Sequence, residues 1–171
     1  MSWQPTLLNS CARAATAAEV RYRIAKDVDL TRVTRIVALD AGATEVVRRV
    51  ADGEWADAHF LALDEGAGGQ EPSERDADLV LVDAHGTTTH LSGELEGADS
   101  VVMVATTADA PAAARTIGEA AALRNIMTVG LIFGDHQDVR DAVAILRPFA
   151  RVLLISRDDD DVAEILTALR A

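Results

Sequence analysis

Six short turns, each following an apolar run, carry the groups of this sequence that could hold an anion, a metal or a proton. They are Asp40-Ala41-Gly42-Ala43-Thr44, Asp64-Glu65-Gly66, Asp83-Ala84-His85-Gly86, Thr106-Thr107-Ala108-Asp109, Gly134-Asp135-His136 and Ser156-Arg157-Asp158. The first is a strand-to-helix turn, where backbone amides and the helix dipole favour a phosphate. It holds a single glycine, and Asp40 would repel that phosphate unless a metal intervened. The plainer role is that Asp40 opens a tight turn and Thr44 caps a helix. Neither G-x-G-x-x-G nor G-x-x-x-x-G-K-[ST] occurs, and the one lysine, Lys26, precedes the first apolar run.

Other combinations of these residues imply other chemistry. Asp40, Asp83 and Thr106 match by position two metal-holding carboxylates and the hydroxyl of a phosphoacceptor receiver, but Phe133-Gly134-Asp135 lacks the lysine that would stabilise an aspartyl phosphate. Asp64 lies about twenty residues beyond the first loop, where a dinucleotide-binding fold places the acid that meets a ribose. His59, His85, His90 and His136 do not fall at zinc-ligand spacing, so no metal site is expected. Asp158 to Asp161 precede the helical pattern Val162, Ile165, Leu166 and Leu169, which puts carboxylates at a helix's favourable end. That run lacks the spacing and glycine of a calcium loop.

The elements that must position these turns are legible from apolar pattern. Runs at Arg35–Leu39, Ala58–Leu63, Leu79–Val82, Ser100–Val104, Met127–Phe133 and Arg151–Ile155 are short, β-branched and largely without alternation. Strands buried on both faces have this character, which predicts a three-layer, doubly wound, mainly parallel α/β sheet of about six strands with helices on both faces, Rossmann-like in plan. The intervening segments predict helices at Thr44–Ala51, Ala110–Leu123, Asp138–Leu146 and Asp159–Leu169, with Pro111 in a first turn. Thr88–Leu91 is expected to be a short edge strand, and Gly66 to Arg75 a surface loop. Residues 1–31 stand apart as an N-terminal arm. Thr16 and Glu19 form a capping box for a helix from Ala17 to Asp27, although Val20, Tyr22 and Ile24 also alternate like a strand. Residues 32–171 are expected to form one domain.

Charge and composition narrow the function classes. Sixteen basic against 28 acidic side chains leave a net charge of -12, an unfavourable field for nucleic acid. The lone Cys11 can form neither an intrachain disulfide nor a thiolate cluster, consistent with a cytoplasmic setting. Leu8-Asn9-Ser10-Cys11 has the outline of a lipoprotein cleavage site, but no basic start and apolar stretch precedes it. No apolar run reaches the length of a membrane span, so no membrane association is expected.

Gly97-Ala98-Asp99-Ser100-Val101-Val102-Met103-Val104-Ala105, the alanine-rich Ala110 to Leu123, and Met127-Thr128-Val129-Gly130-Leu131-Ile132-Phe133 together resemble the nucleotide-binding domain of the FtsZ and tubulin family. In that family a strand like G-A-D-x-V-[FV]-x-x-A leads through a glycine-rich phosphate loop to a helix and a strand like L-T-V-G-V-V. The similarity extends over about 35–156. Where the family carries G-G-G-T-G-T-G, this chain has Thr106-Thr107-Ala108-Asp109-Ala110, so side chains and a carboxylate enter the anion site. The resemblance therefore implies a degenerate FtsZ-like domain without GTPase machinery, more a protein-interaction or regulatory module than an enzyme, with a protein partner or its own copies to bind. The alternatives are a nucleotide- or dinucleotide-binding enzyme and a pseudo-receiver. No cofactor is required; weak GTP, GDP or NAD(P) binding would fall on Asp40, Gly42, Thr44, Asp64, Asp83, Thr106, Thr107 and Asp109.

Overall fold

A computed structural model describes residues 32–64, 78–135, 139–158, 160–169 and 171. In chain order these form β1 (Thr34–Ala38), α1 (Ala41–Ala51), β2 (Ala58–Leu63), β3 (Val80–Asp83), β4 (Thr88–His90), α2 (Leu91–Glu94), β5 (Ser100–Ala105), α3 (Pro111–Leu123), β6 (Met127–Phe133), α4 (Arg140–Leu146), β7 (Val152–Ser156) and α5 (Asp160–Leu169). The arm at 1–31, with its expected helix, and the segment 65–77, which contains the whole expected Gly66–Arg75 loop, lie outside the described residues.

The seven strands make one sheet in the order β4-β3-β2-β1-β5-β6-β7. Strands β2, β1, β5, β6 and β7 are parallel, in register at Ile36 with Phe60 and Val102, and at Val102 with Val129. Taken alone, these five follow the doubly wound order 2-1-3-4-5. The chain moves outward from β1 to β2, then returns to the other side of β1 at β5. The topological switch point thus lies between the carboxyl ends of β1 and β5.

The structure is the expected three-layer α/β fold with a mainly parallel sheet, and its departure from parallel pairing lies at one edge. The Leu79–Val82 run is strand β3, antiparallel to β2, and it forms a hairpin with the edge strand β4. A parallel neighbour would need a crossover, usually a helix, whereas the segment between β2 and β3 is rich in glycine and carboxylates. Gly86 turns the hairpin at φ 82, a conformation that glycine adopts without steric cost.

Alternation of side chains across the strands divides the core into two layers. On one face, Ile36, Ala38, Phe60, Val102, Val104, Val129 and Leu131 pack under α1 and α5. On the other, Val37, Leu61, Val101, Met103 and Ile132 pack under α2, α3 and α4. Helix α1 presents Ala43, Val46 and Val47 to the sheet and ends in Arg48 and Arg49, cations at the negative end of its dipole. Helix α3 starts at Pro111 and buries Ile117 together with Ala113, Ala114, Gly118 and Ala121, four small residues that bring its backbone close to its neighbours. It ends in a Schellman arrangement: Ile126 N–H donates to Ala121 O and Asn125 N–H to Ala122 O, with Asn125 at φ 56.

One closed contact depends on the absence of a side chain. A Cβ at Gly118 would lie 2.6 Å from Phe149 Cγ, because the ring rests directly on α3. In an exposed helix interior, Gly→Ala gains about 1 kcal/mol. Here the sign reverses: Gly118→Ala should lose about 1–3 kcal/mol through overpacking. Urea denaturation of the two proteins checks this.

Candidate functional site

The carboxyl edge of the parallel strands brings Asp40, Asp64 and Thr106 to one level. Ala38 is in register with Ala62 on β2 and Val104 on β5, and each of the three residues stands two positions further on. Asp40 lies between the other two, at the switch point.

Asp40 is the N-cap of α1, with extended backbone at φ -147 and ψ 171. Its Oδ1 accepts from the Ala43 amide at 2.8 Å and the Thr106 hydroxyl at 2.6 Å. Its Oδ2 accepts from the Thr106 amide at 2.7 Å and the Thr107 amide at 3.0 Å. Two oxygens thus take four donors from two separate elements, the first turn of α1 and the β5–α3 loop. Backbone amides converging in this way are what phosphate sites present to an anion. Here the anion is the protein's own carboxylate.

The residues around Asp40 follow from that closure. A Cβ at Gly42 would collide with Thr106 Oγ1, so the glycine serves the approach of a threonine side chain. Thr44 lies inside α1 and donates its hydroxyl to Asp40 O one turn back at 3.0 Å; the cap expected of Thr44 belongs to Asp40, because the helix begins three residues earlier, at Ala41. Thr106 is half-buried; Thr107 and Asp109 are exposed at the mouth of the loop. Asp64 ends β2 beside this group, with its amide directed to Val80 O at 3.4 Å.

Asp83 does not join them. The antiparallel course of β3 places it opposite Leu61, level with Val37, which is about 10 Å short of the carboxyl edge at ~3.3 Å per residue. Its Oδ1 accepts from the amides of His85 at 2.8 Å and Thr87 at 2.7 Å, so it closes its own hairpin. The Thr87 amide, above all, holds its carboxyl below the ordinary value of 3.8. Asp83 and Thr44 do share the wall of a shallow cleft of about 140 Å³ between α1 and the hairpin. The receiver-like set of Asp40, Asp83 and Thr106 is not assembled.

Among the described residues, no group of three or more His, Cys, Asp or Glu side chains comes together as a metal site. His59 instead joins a network that sequence reading missed. Glu94, 8% exposed at the end of α2, takes Arg35 Nε at 3.0 Å, His59 Nδ1 at 2.7 Å and the Thr89 hydroxyl at 2.9 Å. Arg35 also donates to Glu94 O at 2.9 Å. The network fixes α2 across β1, β2 and β4. Arg35 and His59 sit in register on adjacent strands, each two residues before a buried Val37 or Leu61. Two polar residues on an otherwise apolar face were the available signal.

Burial raises the pKa of Asp40, but the Thr106 hydroxyl and the amides of Ala43, Thr107 and Thr106 outweigh it and hold the carboxyl below 3.8. A carboxyl with a lowered folded-state pKa stabilises fully above its unfolded value and loses that stabilisation as pH falls through the folded value. Asp40→Asn keeps the shape, but its amide nitrogen cannot accept from two of the four donors. We expect it to lose about 1–3 kcal/mol at neutral pH. The gap to the parent should narrow as pH drops below 3.8, measured by urea denaturation across the acid range.

A scan against protein-family models gives no match, and no curated protein matches this sequence.

Proposed function

We propose that this chain is a binding domain: a degenerate FtsZ-like α/β scaffold that lacks GTPase machinery and acts by holding a protein partner or another copy of itself. The observation that carries this reading is the Asp40 carboxylate lying on the amides of Ala43, Thr106 and Thr107 at the switch point. An incoming phosphate would have to displace it, leave it buried beside a second anion, or bring a cation to bridge the two. Each route costs free energy that a glycine-lined loop does not spend.

The chain also lacks a cation suited to a phosphate's charge at this edge: the described helix start and the Thr106–Ala110 loop hold no lysine or arginine. The family's glycine-rich loop lets backbone surround phosphates. Threonine and alanine side chains at this position give it walls instead.

A second reading, a dinucleotide-binding domain, draws on Asp64, which ends β2 next to Asp40 where a ribose would be met. It requires a pyrophosphate over the same α1 amides. A pseudo-receiver is less well supported, because Asp83 is engaged in the β3–β4 turn.

Thermal melts with GTP, GDP, NAD, NADP, and magnesium with a phosphoryl analogue separate these readings. A ligand at a hundredfold its Kd would stabilise the fold by about 2.7 kcal/mol. The binding-domain reading predicts no rise in melting temperature for any of them. It further predicts that Asp40→Ala, which vacates the cradle, gains stabilisation from inorganic phosphate at fixed ionic strength that the parent lacks. A nucleotide-dependent rise in the parent protein would overturn it.

A further inference from the structure

The far end of the sheet, at the amino ends of the parallel strands, carries a cleft of about 290 Å³ between the end of α3 and the turn joining α4 to β7. Gly118, Ala122 and Ile126 form one wall, and Pro148, Phe149 and Ala150 the other. The walls are firmly held. Phe149 rests on the Gly118 backbone, its carbonyl accepts the Thr128 hydroxyl at 2.6 Å, and the Schellman turn fixes Asn125 and Ile126. An apolar cavity of about 150 Å³ suffices for a benzene ring. This cleft therefore has room for a leucine or phenylalanine side chain. Leu123, 85% exposed, follows the lining residue Ala122 and adds apolar surface beside it.

The charge around the cleft runs against that of the whole chain. The protein carries -12, yet Arg151 lines the cleft, and Arg124 and Arg147 directly adjoin the lining residues Asn125 and Pro148. All three are exposed, and none forms an ion pair with a described residue. Arg124 donates to Ala120 O at 3.1 Å, on the flank of α3 turned away from Gly118 and Ala122, so the rim itself is formed by Arg147 and Arg151. Glu119, the carboxylate on the lining, is held by Arg115 at 3.0 Å. An apolar slot with a cationic rim complements an anionic segment that carries a large apolar side chain.

We infer that this cleft docks a short acidic segment of a protein partner, with a leucine or phenylalanine as its anchor and carboxylates on the Arg147 and Arg151 rim. A second copy facing cleft to cleft would oppose arginine to arginine, and a nucleic acid would have to approach a strongly acidic chain. The inference rests on the binding-domain reading and names the partner's chemistry. Its failure would leave that reading in place, because the nucleotide melts test a different end of the molecule.

Fluorescence anisotropy with a labelled synthetic peptide, a leucine–phenylalanine pair flanked by glutamates, tests it on the full chain. Control peptides replace the glutamates by lysines or the apolar pair by serines. The Arg147→Glu/Arg151→Glu double variant reverses the rim, and Ala122→Trp fills the slot. All three positions are exposed, and circular dichroism verifies that each variant folds. Saturable binding of the acidic apolar peptide alone, weakened at least about tenfold by either variant and reduced by salt, is the expected result. Absence of binding, equal binding of the serine control, or affinity indifferent to Ala122→Trp would overturn the assignment.

Discussion

The contact on which the rest of the molecule's character depends is that between the Asp40 carboxylate and the donors of its own helix start and of Thr106, 66 residues further along the chain. A doubly wound sheet creates a crevice at its switch point because the connections from β1 and β5 leave in opposite directions. In that crevice the amides of a helix start and of a strand-to-helix loop converge, and they need an acceptor. A side chain of this chain supplies it. Each oxygen takes two donors, so the carboxylate ties α1 to the β5–α3 loop and lies in the crevice where open α/β sheets take their ligands.

That closure orders the smaller features around it. Gly42 is needed because Thr106 presses on the first turn of α1. Thr44 satisfies a carbonyl at the same turn. The opposite end of the sheet is organised by other means. Glu94 gathers Arg35, His59 and Thr89 beneath α2, and the Gly118–Phe149 contact seats the α4–β7 turn against α3. The molecule thus has an edge closed by its own anion and another that presents an apolar cleft with arginines at its rim. The proposed function follows from that asymmetry: little reason to hold a phosphate, and a surface suited to a peptide.

Much of this was legible in the sequence because the information is local. Apolar runs without alternation marked β2 and β6 to the residue and β1, β5 and β7 within a position or so, and periodic segments marked α1, α3, α4 and α5. Thr88–Leu91 was recognisable as an edge strand from its threonines, one residue longer than β4, since Leu91 already begins α2. Strand direction was not local. Nothing within Val80–Asp83 distinguishes parallel from antiparallel pairing, and that single reversal moves Asp83 from the carboxyl edge into a hairpin turn. The turn at Asp40 was legible, but its cap was placed on Thr44; the N-cap is Asp40 itself, whose Oδ1 takes the Ala43 amide. Its bonds to Thr106 and Thr107 depend on β5 lying next to β1, which emerges only from the topology. The Glu94 network and the cleft beside Phe149 were hidden for the same reason, each joining residues distant in the chain.

The most direct test of the central interaction is a pH titration of the Asp40 carboxyl carbon by NMR, followed together with the amide signals of Ala43, Thr106 and Thr107. If the carboxylate occupies the cradle, its midpoint lies below 3.8 and the three amides shift with that same midpoint. A midpoint at or above 3.8, or amides that do not follow the carboxyl, would contradict a cradle filled from within.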